Sequence, residues 1–128
     1  MSDAALPVQK AIFAALSSAL SVPVLDSVAE DAPRQYVTIG DDTAVDYSTK
    51  TETGQDMTLT IHVWDSLYRG RAGVKVIQAQ IYTALHRKAL AVTGFDVEDV
   101  RFEFAETFLD ADGLTYHGVC RYRVIVHG

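Results

Sequence analysis

An α+β fold is predicted by three features of the sequence: a strand that runs directly into an amphipathic helix mid-chain, a long antiparallel hairpin at the end, and a strongly apolar helix at the start. From Gln55 onward Met57, Leu59, Ile61 and Val63 alternate with Thr58, Thr60, His62 and Trp64. Side chains alternate across a pleated strand, so the first set forms one core face. The period then changes. In the helix that ends by Leu90, at about 100° per residue, Val74, Ile77, Ile81, Ala84 and Leu85 fall on one stripe, and Lys75, Ala79, Tyr82, Thr83 and His86 lie away from it. That stripe requires a sheet to cover. Asp65, Ser66, Gly70 and Gly73 sit at the junction, where Asp65 or Ser66 is placed to satisfy orphan backbone N–H groups at a helix start.

The first helix is expected from about Ala4 to Leu20, with Ser2 or Asp3 as its cap and Pro7 in the first turn, where a missing N–H costs nothing. Val8, Ala11, Ile12, Ala15, Leu16 and Ala19 centre its apolar arc, and Phe13 and Leu20 widen it to about 200°, more than one sheet face needs. Two readings stay open: another subunit meets part of the arc, or a loop folds over Phe13.

Val22-Pro23-Val24 through Pro33 reads as a short extended piece and a turn-rich connection, with Pro33 biasing Ala32 away from helix. Tyr36 to Gly40 is a short strand. From Asp41 to Gly54 the chain is polar, with only Val45 and Tyr47 as sizeable apolar residues, which predicts a long loop or contact arm, the alternative being a solvated hairpin extension. Near the end, Val100, Phe102, Phe104 and Phe108 alternate with Arg101, Glu103, Ala105 and Thr107. Tyr116, Cys120, Tyr122, Val124 and Val126 then alternate with His117, Val119, Arg121, Arg123 and Ile125. Asp110-Ala111-Asp112-Gly113 supplies the turn between them, and Arg101 and Glu103 are placed to pair with Arg121 and Arg123 across the strands. The predicted order is α-β-β-α-β-β: an antiparallel sheet of about four strands with two helices packed on one face.

Composition narrows the function. The 128 residues suit one domain spanning 1–128, 48% apolar and with 22% charged residues spread along its length. A net charge of −6 argues against a basic groove that grips nucleic acid. No apolar run approaches the ~20 residues that span a bilayer. Met1 to Ala4 lacks the basic residues of a secretory signal, so synthesis in a cytoplasm is expected. Cys120 stands alone, which excludes a disulfide within the chain and predicts a small buried residue.

Gly70-Arg71-Ala72-Gly73 lacks the spacing and lysine of a phosphate loop, and Asp110, Asp112 and Gly113 lack the distal ligands of a calcium loop. His62, His86, His117 and His127 form no i, i+4 pair, and Ser66, His62 and Asp65 cannot converge as a triad from one strand end. Glu98, Asp99, Glu103, Glu106, Asp110 and Asp112 make the final hairpin acidic, a pattern suited to solubility and partner choice. No catalytic residue, metal ligand or cofactor-binding residue is predicted.

The segment from Val22 to Gly40, the Val63-Trp64-Asp65-Ser66 strand end, the Ile81-Tyr82-Thr83-Ala84-Leu85-His86 helix, and Asp110 to Val119 with its closing Arg121-Tyr122-Arg123 strand carry a resemblance across nearly the whole chain. The sequence resembles the tail terminator, or tail completion, proteins encoded among the head-to-tail joining genes of long-tailed phages, prophages and gene transfer agents. The resemblance implies a structural virion protein: a homo-oligomeric ring of six subunits that caps the tail tube, stops its polymerisation and offers its other face to the head connector or stopper. DNA would pass through the lumen without specific binding. A ring requires two different surfaces on each subunit. The expected interface residues are Phe13 and Leu20 of the first helix, Tyr82 and His86 of the second, and Asp41, Asp42, Tyr47, Lys50 and Thr51 of the arm. Another head-tail joining role, stopper or adaptor, and a small-molecule-binding or enzymatic α+β domain are the alternatives.

Overall fold

The structure, a computed structural model, describes residues 3–26, 33–67 and 70–128. Its elements are α1 (Ala5–Ala19), β1 (Val24–Leu25), β2 (Gln35–Asp46), β3 (Gly54–Asp65), α2 (Arg71–Leu85), β4 (Asp96–Leu109) and β5 (Tyr116–His127). The helix positions follow the apolar stripes. Val8, Ile12 and Leu16 of α1 are buried, as are Val74, Ile77, Ile81 and Leu85 of α2, and they close over Met57, Leu59, Ile61, Val63, Tyr122, Val124 and Val126. The expected Ser2 cap and the Ala32 conformation lie outside the described residues. Asp3 Oδ1 accepts the Ala5 N–H at 2.9 Å.

The sheet departs from expectation in count and sense. It has five strands in the order β1-β2-β3-β5-β4, and β1 runs parallel to β2, with Val24 opposite Val37 and Leu25 opposite Thr38. The expected antiparallel sheet of about four strands is therefore corrected to a mixed sheet. Two residues are too few to show a period, and β1 is held by a backbone contact that sequence does not display, the Val37 N–H donating to the Pro23 carbonyl at 2.9 Å.

The polar stretch 41–54 also resolves differently from an irregular loop. Asp41 to Asp46 continue β2 past a bulge between Ile39 and Asp42, and residues 42–46 pair antiparallel with residues 55–59. Only residues 47–53 turn, closed by the Tyr47 N–H to Gly54 carbonyl bond at 2.9 Å. The arm is thus the distal half of a hairpin, and its polarity reflects a strand end exposed on both faces rather than absence of a strand.

A second bulge corrects the reading of β4. Phe102 lies opposite Tyr122 but Phe104 lies opposite Arg121, so Glu103 is an extra residue and the alternation reverses beyond it. Phe104 and Phe108, which the alternation placed on the same face as Val100 and Phe102, instead stand exposed on the face without helices. Arg101 opposes Arg123 rather than an acid. Arg101 pairs with Asp99 at 2.7 Å, Arg121 approaches Glu103 at 3.5 Å, and Arg123 grips Asp56 on β3 through two hydrogen bonds.

The junction before α2 uses glycine differently from expectation. Gly70 takes the N-cap position at φ 127°, a conformation that L side chains rarely adopt, with no side-chain cap, while Gly73 lies inside the helix. Asp65 Oδ1 instead accepts the Leu67 N–H at 2.8 Å and shapes the turn.

Candidate interaction surfaces

Strand register builds the first surface. Trp64 and His62 point away from the helices on β3, and pairing of Trp64 with His117 and of Tyr36 with Trp64 brings three strands' rings together. The Trp64 indole stacks on His117 at 3.7 Å between centroids and 17° between planes, and Phe108 from β4 and Tyr36 from β2 extend the patch. The indole N–H donates to Thr38 Oγ1 at 3.2 Å. His62 Nδ1 and His117 Nε2 are 2.8 Å apart, so one ring donates to the other. Such a bond requires at least one neutral imidazole.

Burial is the main reason both histidines hold their protons less readily than an ordinary imidazole, with the Asp41 and Asp110 carboxylates opposing the shift. Stability from this pair is therefore fully present above a pH of about 6.5, the unfolded value, and is lost as pH falls through the lowered folded values. His127 works in the other direction. Its Nε2 lies 2.7 Å from Glu98 and its Nδ1 3.8 Å from Glu52, and the Glu98 hydrogen bond raises its pKa. Its contribution is present below about 6.5 and fades as pH rises through the raised value. Thermal unfolding across pH is expected to show both limbs, with His62→Gln/His117→Gln flattening the acid limb and His127→Gln the other.

The hairpin tip is the second surface. Asp41 and Asp42 sit at the β2 bulge, Tyr47 follows the strand, and Lys50 and Thr51 occupy the turn, all exposed. Val45 is 63% exposed on this arm. The tip is tied to the end of β5 by Gly128, whose N–H donates to the Thr53 carbonyl at 3.0 Å, and by the Tyr47 ring lying 5.9 Å from His127.

The helix layer is the third. Phe13 is 38% exposed, so no described segment folds over it as the loop alternative required. Leu20 is taken into this chain's own core at 8% exposure and offers little to a neighbour. Tyr82 is exposed and stacks on His86 at 4.6 Å, with Phe102 edge-on beneath it, while His86 Nδ1 accepts the Phe102 N–H at 3.0 Å. His86 therefore fixes the end of α2 to β4, and only Tyr82 of the two projects freely. A shallow apolar groove lined by Ala19, Val76, Ala79, Gln80, Thr83 and Ala84 runs between the helices.

Polar side chains elsewhere are consumed by the fold. Asp112 accepts the backbone N–H groups of Leu114 and Thr115 and the Thr115 hydroxyl, which hold its pKa down and set the β4–β5 turn. Burial pushes the Cys120 thiol up to about 12, leaving it unreactive. A cleft of about 630 Å³ is lined by residues from Arg87 to Val100, where Arg87 meets Asp99 at 3.4 Å. Sequence reasoning treated the histidines as scattered. Their shared face was written in the alternation, but the register that joins His62, Trp64 and His117 was not.

A domain that leaves apolar side chains exposed on its hairpin, its helix layer and its open sheet face has the character of an assembly component. Comparison with known proteins identifies which. The family model described as tail completion protein gp17 matches residues 8–127. The tail completion protein gp17 of Bacillus phage SPP1 is 32% identical over 104 residues, 81% of this chain and 76% of that protein. Its solved structure superposes with a TM-score of 0.60 at 30% identity, over 93% of this chain and 88% of that one. A chain of the virion of a native gene transfer agent particle has the same fold, with a TM-score of 0.88 at 21% identity over 100% of both chains. The chain belongs to the gp17 tail completion protein family. It is a structural tail protein of the virion and not an enzyme.

Proposed function

We propose that this protein forms a ring of six subunits that caps the tail tube, stops its polymerisation and joins the tail to the head connector. Membership of the tail completion family carries this reading, and the separation of exposed apolar side chains between the arm and the helix layer supports it. A closed ring is heterologous: one surface of a subunit meets a different surface of the next, and both are satisfied once the ring closes. We assign Phe13 and Tyr82, both exposed on the helices, to one such surface and Asp41, Asp42, Tyr47, Lys50 and Thr51 of the arm to the other. A growing tube exposes strand edges and apolar surface that template the next addition. A ring that covers this surface without repeating it ends growth. The net charge of −6 suits a lumen through which DNA slides, because acidic walls repel phosphate.

Mass by light scattering on the purified protein, alone and with its tail-tube protein, followed by negative-stain imaging, tests the ring. A six-fold assembly, free or on tube ends, is the expected result. A species that stays monomeric and ignores tube ends, yet binds DNA-filled heads, would replace this reading with a stopper or adaptor role.

A further inference from the structure

His62 and His117 hold each other on the open sheet face, and each is also within the field of a carboxylate. Nδ1 of His62 and Nε2 of His117 are 2.8 Å apart, and the His117 ring is stacked on Trp64 at 3.7 Å and meets Phe108 at 4.7 Å between centroids. The other nitrogen of His62 meets the β2 bulge. Gly40 and Asp41 together oppose Thr60 there, and a Cβ built on Gly40 would lie 2.7 Å from His62 Nε2. That nitrogen is therefore beside the backbone that carries Asp41, whose carboxylate opposes the lowering that burial imposes on the His62 imidazole. Asp110, in the turn after β4, opposes the same effect of burial on His117. It also adds to burial in raising the Tyr36 pKa, so its charge is felt across the aromatic patch. The remaining charges of this face stand apart or are answered: Glu106 and His62 flank Val119 from either side, Arg121 meets Glu103 at 3.5 Å, and Arg123 holds Asp56.

We propose that this pair is a proton-operated latch: with at least one ring neutral the two imidazoles hold each other, and when both are protonated each turns to its own carboxylate, His62 to Asp41 and His117 to Asp110. A neutral imidazole donates through one nitrogen and accepts through the other, whereas an imidazolium only donates. The first proton keeps the bond, since a charged ring still donates to a neutral one; the second removes the last acceptor. Two imidazolium rings in contact then repel, and the carboxylates receive them on opposite sides, at the β2 bulge and at the β4–β5 turn. Burial lowers both rings from their ordinary value, so the second proton is taken below a pH of about 6.5. Parting of the rings takes His117 off the Trp64 indole and loosens the end of β4, an edge strand that is packed on this face through Phe108. The open face is then one aromatic plate at neutral pH and a divided one in mild acid. The latch belongs to the single chain, so it stands or falls separately from the ring.

Trp64 is the only tryptophan in the sequence, and its emission reads the latch directly. Titration from a pH of about 8 to about 5 is expected to change this emission reversibly while far-ultraviolet circular dichroism stays constant, and imidazole NMR is expected to show two separate steps for the pair. Protection of the backbone amides of residues 104–109 against hydrogen exchange is expected to fall about tenfold at the acid end. Asp41→Asn and Asp110→Asn each remove a receiving carboxylate, and are each expected to move the emission midpoint down by about half a pH unit or more. An emission change that appears only together with loss of circular dichroism would assign it to unfolding and overturn the latch. Imidazoles that titrate as two independent sites in the wild type, or aspartate variants whose midpoints match it, would overturn the exchange of partners.

Discussion

Replacing Gly118 by valine is expected to lift α2 from the sheet. A Cβ at this position on β5 would lie 2.4 Å from Val74 Cγ1 and 2.6 Å from the Gln78 side-chain nitrogen, closer than real carbon contacts allow. Gln78 is anchored by its hydrogen bond to the Glu106 carbonyl at 3.2 Å, and Val74 is fully buried, so neither neighbour moves without cost. Overpacking a close-packed core costs about 1–3 kcal/mol, and branching at Cβ places this substitution at the upper end. Denaturant unfolding is the direct measurement. Because α2 carries the groove and Tyr82, the same variant is expected to lose assembly under conditions where its far-ultraviolet spectrum still reports folded secondary structure. An unchanged midpoint and normal assembly would show that α2 does not lie on Gly118 as described.

Truncating Tyr122 to alanine is expected to have the larger effect on stability. This side chain is 1% exposed, lies on β5 between β3 and β4 in the core under α2, and meets Phe102 edge-on at 5.6 Å between ring centroids. Removing a large buried ring loses its transfer free energy and leaves a cavity that the surrounding core only partly fills, together about 3–5 kcal/mol. Against a domain stability of roughly 5–15 kcal/mol, that brings the protein close to its unfolding threshold. Tyr82→Ala makes the control. It removes an exposed ring from the same aromatic row, and is expected to spare most stability while weakening assembly.

These effects show which parts of the fold were legible in the sequence. The β3 face, both helix stripes and the closing hairpin were readable because each runs long enough for a period to repeat: Met57 to Val63 alternate four times, and Val74 to Leu85 complete three turns. What escaped notice was local or relational. β1 is two residues held by backbone bonds, and the bulge at Glu103 reverses the side-chain direction of Phe104 and Phe108 without changing composition. The arm hid its strand because neither face of residues 41–46 is covered, which removes the alternation by which strands are recognised. Leu20 looked like surplus apolar surface, yet it closes the core where α1 ends. The His62–His117 pair required a register that depends on two hairpins at once.

The central claim is that this protein ends tube growth, and the most direct measurement is tube length. Tail-tube protein induced to polymerise with increasing amounts of this protein is expected to give shorter tubes that stop growing, each carrying a ring at one end only. Tubes that grow to the same length with and without it, and whose ends stay bare in electron micrographs, would contradict the account.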